Sequence, residues 1–276
     1  MNPPTWRQAN VAFRNWERAE ITALAKLAPL LRAAEDEGTL TAWFIVRKQP
    51  CWRVRYQPTA DGHDHIGHGL DVLTAEGYVK GWTEIIYEPE VHAFGGAETM
   101  ASAHRLFHYD SRSLVDFLQS GAGHHRRETS LMLCSLMMRS AGLDWYEQGD
   151  VWARVAAHRP LPTVAEPESR DQLHTAVRRL LSVDPQYAMQ PGGPLARPAG
   201  WARAYADAGR ELADLTASGQ LHRGLRDVLA HHVIFAWNRI GLPYATQATL
   251  TAAAKTVIFG PDPTTERGAT DHVETS

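Results

Sequence analysis

The hydrophobic period of this chain changes once, near Ala97, and no other feature limits its architecture as strongly. Before that point apolar and aromatic residues come in short runs, such as "TAWFIVRKQPCWRVRY" at residues 41–56. After it they recur at helical spacing as far as Val257. Alternation with period two places side chains on opposite faces of a strand, whereas a 3.6-residue period makes an apolar stripe on a helix. Strands gathered in the first third and helices in the rest predict an α+β fold. The N-terminal strands form a mixed or antiparallel sheet, and the C-terminal two thirds are mostly helical.

In more detail, Trp6–Asn15 reads as a first strand. Glu17–Glu37 reads as a helix with Ile21, Leu24, Leu27, Leu30 and Leu31 on its apolar side. The run at residues 41–56 breaks at Lys48-Gln49-Pro50 and reads as a hairpin. A polar, histidine-rich loop, "TADGHDHIGHG", precedes a helix over Leu70–Val79 and a strand over Trp82–Tyr87. The helices expected beyond are Ala97–Phe107, Ser111–Gln119, Arg126–Ala141, Trp145–Ala157, Arg170–Leu181, Trp201–Thr216, Arg223–Ile240 and Gln247–Val257. Residues 1–259 are expected to form one domain, and the polar stretch 260–276 a disordered tail.

Composition removes several function classes. With 276 residues the chain can bury a core without disulfide or metal staples. A net charge of -3 and a pI near 6.5 argue against broad electrostatic binding to nucleic acid. Cys51 and Cys134 both lie in apolar runs, so no disulfide framework is expected, and a reducing cytoplasm suits the chain. The N-terminus lacks the basic start and long apolar core of a signal peptide. The apolar runs, Leu131–Met138 among them, are too short to cross a bilayer. The chain is therefore expected to be soluble and cytoplasmic.

Two constellations could carry chemistry. In the hairpin, Arg53 and Arg55 stand at i and i+2 and share a strand face, with Trp52 and Val54 pointing the other way. Arg47 lies on the facing strand. Guanidiniums so placed either pair with acids on a solvated face or bind a carboxylate through their planar fork. In "DVLAHHVIFAWNRIGL", residues 227–242, Leu225, Leu229, His232, Ala236 and Arg239 fall on one helical stripe. His232 and Arg239 lie about 10 Å apart along the axis. A buried histidine near an arginine is held neutral, which suits a base and equally suits a core residue bonded to a carbonyl.

Histidine spacing also allows metal sites at His63, His65 and His68, or at His104 and His108. Neither group carries a supporting motif, so no metal and no cofactor is expected. The chain has no Gly-rich phosphate loop, no G-x-S-x-G and no C-x-x-C.

Three segments in order resemble one family. "YEPEVHAFGGAETMASAHRLFHYDS", residues 87–111, is similar to a segment of the lantibiotic-dehydratase C-terminal domain, also called the SpaB-like or thiopeptide-type bacteriocin biosynthesis domain. "WFIVRKQPCWRVR" looks like its arginine-bearing hairpin, and "HHVIFAWNRIGL" like its late His…Asn-Arg helix. The resemblance runs from about Trp6 to about Phe259. It departs at Pro89, where many eliminating members carry an arginine, and at Ala236, where they commonly carry a histidine two residues before the Asn-Arg pair.

The resemblance implies an α+β domain that tailors a ribosomally made precursor peptide, recognising its leader and core. In full-length dehydratases a partner domain esterifies Ser or Thr with glutamate from glutamyl-tRNA. The C-terminal domain then removes the α-proton and expels glutamate, leaving dehydroalanine or dehydrobutyrine. By resemblance His232 is the base, Arg53 and Arg55 hold the enolate and carboxylates, and Arg47, Tyr87 and Arg239 bind substrate. A separate esterifying protein is then the expected partner, with no membrane and no direct nucleic-acid contact. Stand-alone relatives suggest two other tasks: [4+2] cycloaddition to a pyridine, or non-catalytic binding of leader peptide or partner.

Overall fold

The strands β1 (Arg7–Phe13), β2 (Leu40–Lys48), β3 (Cys51–Pro58) and β4 (Val79–Ile85) make one sheet in the order β2-β3-β1-β4. Every neighbouring pair is antiparallel. The structure, a computed structural model, describes residues 6–62, 64–161 and 167–260. The histidine at position 63 and the polar stretch after Gly260 lie outside the described residues.

Alternation gives the sheet two different faces. Ala9, Val11, Trp43, Ile45, Trp52, Val54 and Tyr56 point one way and are buried. They pack under the helical stretch α1 (Ala19–Thr22), a π turn at Ala23–Leu27, α2 (Ala28–Asp36), and α3 (His65–Ala75). The other face carries Gln8, Asn10, Arg53 and Arg55 beside Phe44 and Val46. Against it lies a small aromatic core of Phe44, Tyr87, Phe94, Met100 and Phe107.

The helical layer begins with α4 (Ala97–Gln119), which closes the outer edge of β2. His108 Nδ1 accepts from the Trp43 amide at 3.2 Å and Ser111 Oγ from the Ile45 amide at 3.2 Å. An edge strand is thereby satisfied by side chains rather than left open for pairing. Behind α4 lie α5 (Arg126–Ser140), α6 (Trp145–His158), α7 (Pro167–Leu181), α8 (Pro185–Met189), α9 (Ala199–Ala217), α10 (Leu225–Ile240) and α11 (Tyr244–Phe259). Helix α5 is buried on all sides from Thr129 to Met138, which makes it the centre of this layer. Helix α10 packs on α5 and α6 and also reaches β2, so it joins the two layers. Among the described residues no helix is long and apolar enough to cross a membrane.

Three boundaries differ from the sequence expectation, each for a local reason. The helix expected over Leu70–Val79 spans His65–Ala75 instead. Ile66, Leu70 and Leu73 supply its buried stripe, and Gly77, at φ 81°, ends it. Strand β4 accordingly starts at Val79, earlier than the expected Trp82. Two helices, Ala97–Phe107 and Ser111–Gln119, were expected, with a break around Asp110-Ser111. Those side chains bond to other elements, so α4 runs through without a break.

Candidate functional site

Period-two geometry brings Arg53 and Arg55 to one sheet face, and the strand order decides their company. Because β1 lies beside β3, Gln8 stands opposite Arg55 and Asn10 opposite Arg53. Arg55 is 3% exposed; its Nε donates to Gln8 Oε1 at 2.8 Å. Its Nη2 reaches Glu90 Oε1 at 3.4 Å, while Nη1 and Glu90 Oε2 are buried without partners. The two ions thus face each other without closing a bidentate fork. The guanidinium stacks 4.4 Å from the Tyr87 ring and 5.4 Å from Phe44. Burial pulls the Arg55 pKa below its usual value, opposed by Tyr87 and Glu90. Arg53 is half-buried and has no ion-pair partner among the described residues.

Tyr87 is the next link. It follows β4 and lies at the start of the segment "YEPEVHAFGG", whose fold depends on its glycines. Gly95 and Gly96 have φ of 87° and 129°, and a Cβ on Gly95 would stand 2.6 Å from Leu221 Cδ1. The Gly95 carbonyl accepts from the His222 amide at 2.7 Å, fastening this segment to the chain that leads into α10. The Tyr87 hydroxyl lies 2.8 Å from His104 Nε2 on α4. Burial raises the Tyr87 pKa. Burial, and secondarily Arg55, lowers the His104 pKa to about 4.

His104 opens onto solvent. It lines a groove of about 370 Å³ together with Trp6, Thr41, Ala42, Gln57, Arg105, His108 and Tyr109. Gln57 follows Arg53 and Arg55 on the same strand face, so the arginine stripe ends at the groove floor. Trp6 lies against the His104 ring at 4.5 Å.

The remaining expected residues lie elsewhere. His232 is 3% exposed, with its ring 4.9 Å from Phe94 and 6.0 Å from Phe107. Both its nitrogens lack partners, and burial first, then Arg239 and His231, lowers its pKa to about 3. Arg239 is fully buried and paired with Asp110. Asp110 also accepts from Trp201 Nε1 at 2.6 Å and from the Tyr205 hydroxyl at 2.8 Å. The aromatic core of Phe44, Phe94 and Phe107 separates this pair from Arg55. Arg47 points to the opposite sheet face, where it stacks on Trp52 at 4.6 Å and pairs with Glu20. Arg126 grips the same Glu20 through two bonds of 2.9 and 3.0 Å.

The structure therefore joins Arg53, Arg55 and Tyr87 and leaves Arg47, His232 and Arg239 apart from them. His104 and Gln8 enter from sequence positions that no spacing rule connects to the hairpin. The spacing of His104 and His108 allows a metal pair, though none was expected. In the structure His108 bonds the β2 edge and His104 bonds Tyr87, and no metal-holding cluster of three His, Cys, Asp or Glu occurs among the described residues.

The family model described as "Lantibiotic biosynthesis dehydratase C-term" matches residues 6–258. Comparison with solved structures found the crystal structure of tRNA dependent lantibiotic dehydratase MibB from Microbispora sp. 107891, at 17% identity and TM-score 0.64. That match covers 98% of this chain and 29% of MibB. The pyridine synthase TbtD, from thiomuracin biosynthesis, matches at 12% identity and TM-score 0.61 over 92% of this chain and 97% of TbtD. TsrL matches at 15% identity and TM-score 0.52, over 94% of this chain and 99% of that protein. At these identities the structures share the fold. A comparison with curated protein sequences found no match.

Proposed function

This chain belongs to the lantibiotic biosynthesis dehydratase C-terminal family, and on that premise we propose that it tailors a ribosomally made peptide by eliminating glutamate from glutamylated Ser or Thr. The observation that carries the proposal is the cationic stripe of β3. Two guanidiniums share one face, Glu90 opposes Arg55 at 3.4 Å, and one buried Arg55 nitrogen has no partner. A carboxylate completes such a site by taking the free fork positions. Glutamate leaving a seryl or threonyl ester presents that group as its bond breaks.

In this reading Arg53 and Arg55 hold the glutamyl carboxylates and disperse negative charge as it develops. Tyr87 backs Arg55, and Gln8 fixes its orientation. His232 is the residue that the family resemblance offers as base; its ring is neutral but buried and apart from these arginines, so the geometry does not support it in that role. The ester is supplied by a separate protein that draws on glutamyl-tRNA. MibB's description as tRNA dependent motivates that part of the proposal.

The test is direct. The purified chain is incubated with a precursor peptide bearing glutamylated Ser or Thr, and masses are followed. Loss of glutamate with formation of dehydroalanine or dehydrobutyrine is expected. A parallel incubation uses a peptide that already contains dehydroalanines. Ring formation with leader release there, and no glutamate loss in the first reaction, would replace elimination with pyridine synthesis. Binding without either change would make the chain a non-catalytic subunit.

A further inference from the structure

We propose that His104 is a catalytic hydrogen-bond donor, an imidazole fixed by Tyr87 so that its Nδ1–H meets the carbonyl oxygen of the reacting residue in the adjoining groove. This inference rests on the elimination reading and adds a residue to it. The tautomer follows from hydrogen-bond accounting. Tyr87 is 8% exposed, and its hydroxyl has one partner among the described residues, His104 Nε2 at 2.8 Å. A buried phenol needs an acceptor for its O–H, and a neutral imidazole nitrogen is a strong one. Nε2 therefore accepts, and the ring proton resides on Nδ1.

The surroundings hold that arrangement. Trp6 lies on the imidazole at 4.5 Å with a 32° tilt, and Phe44 stands 5.9 Å away. Nδ1 has no partner among the described residues, and His104 forms part of the groove wall. Burial, and secondarily the Arg55 guanidinium, disfavours protonation, so the ring stays neutral at working pH and donates without acting as a base. His108 cannot serve in its place. Its Nδ1 bonds the backbone of Trp43, and its Nε2 faces Glu35 at 3.3 Å.

The chemistry uses such a donor once. A base takes the α-proton, and the bonding pair moves toward the carbonyl oxygen as an enolate. That pair then forms the Cα–Cβ double bond as the Cβ–O bond breaks, and the electrons of that bond leave with the glutamate carboxylate. His104 supports the transient oxyanion and keeps its proton. Removal of one donor to such an oxyanion lowers kcat by about 10²–10³-fold in enzymes of this kind.

Two measurements test the proposal. Imidazole ¹⁵N spectra of the labelled chain should show His104 neutral and protonated on Nδ1 from pH 6 to 8, about the range where a free imidazole titrates. Tyr87→Phe should shift it toward the Nε2–H form, which identifies Tyr87 as the positioning residue. A native Nε2–H form, or titration near the ordinary histidine value, overturns the assignment. In the glutamyl-peptide assay His104→Ala should cut kcat by about 10²-fold or more with KM changed less than about threefold. Full kcat in that variant, or a loss confined to KM, overturns the catalytic role. If the unaltered chain releases no glutamate, the elimination reading falls, and the spectra still decide whether His104 is a fixed donor.

Discussion

Arg55 and Arg239 are both buried, both stack on an aromatic ring, and both lie near a histidine, yet they sit in opposite electrostatic settings. Arg239 is enclosed in the helical layer with Asp110, and two further donors converge on that carboxylate. Its charge is balanced by Asp110, and Arg239 is fully buried and does not line the groove. Arg55 shares its charge with a neutral amide and a loosely placed Glu90, while half-exposed Arg53 adds a second cation. A buried charge is tolerated when its partner is close and well hydrogen-bonded. The first arginine meets the charge condition within the chain through its Nε bond to Asp110, although its Nη1 and Nη2 are buried without partners. The second comes closest to meeting it when an anion arrives from outside, and this is the physical difference between a structural ion pair and a binding site.

Breaking the first pair should have the largest effect. Asp110→Ala strands the Arg239 guanidinium and two further donors in the core, so unfolding free energy should fall by about 3–5 kcal/mol. Urea denaturation followed by tryptophan fluorescence measures it. A loss under about 1 kcal/mol would mean that Arg239 is not the isolated charge described above. Arg55 should respond in the opposite sense. Arg55→Lys keeps the charge and removes the fork, so stability should shift by less than about 1 kcal/mol while glutamate release falls about 100-fold. If stability collapses and the folded fraction keeps full turnover, the two arginines are alike and the contrast fails.

What the sequence displays of this arrangement, and what it conceals, follows from which interactions are local. The shared face of Arg53 and Arg55 is legible because strand period is a local property. The glycine pair at Gly95-Gly96 is legible as a turn for the same reason. Which neighbour each arginine meets depends on strand order. Placing β1 between β3 and β4 brings Gln8 to Arg55 across 47 positions. His104 offered only the i, i+4 spacing that allows a metal pair, since nothing near it announces a tyrosine 17 residues earlier. The break expected between Phe107 and Ser111 does not occur: the Asp110 and Ser111 oxygens bond Trp201, Tyr205 and the β2 edge inside one continuous helix. Arg47 joined the substrate-binding set by resemblance alone, since the hairpin register left its side open. The observed pairing of Arg47 with Trp52 turns it to the opposite face.

The histidines beside the two arginines offer the finest test of the contrast, through pH. His104 titrates in the folded chain at about 4 and His232 at about 3, against about 6.5 when unfolded. In both cases burial is the larger cause and the nearby arginine contributes. The unfolded state therefore binds protons more readily. Stability from each neutral imidazole is complete above pH 6.5 and is lost as pH falls toward the folded values. Each unit of that window costs up to about 1.4 kcal/mol per histidine, so lowering pH from 6.5 to 5 removes about 2 kcal/mol for buried His232 and less for His104, whose ring faces the groove. Urea midpoints at pH 7 and pH 5 measure the sum in the unaltered chain. His232→Leu should remove its share fully, because that residue is 3% exposed. His104→Gln should remove a smaller share, since the groove lets solvent reach its ring. Equal acid sensitivity in the unaltered chain and His232→Leu would show that the enclosed arginine side does not hold its histidine neutral. The distinction between closed and open charge would then fail where it should be sharpest.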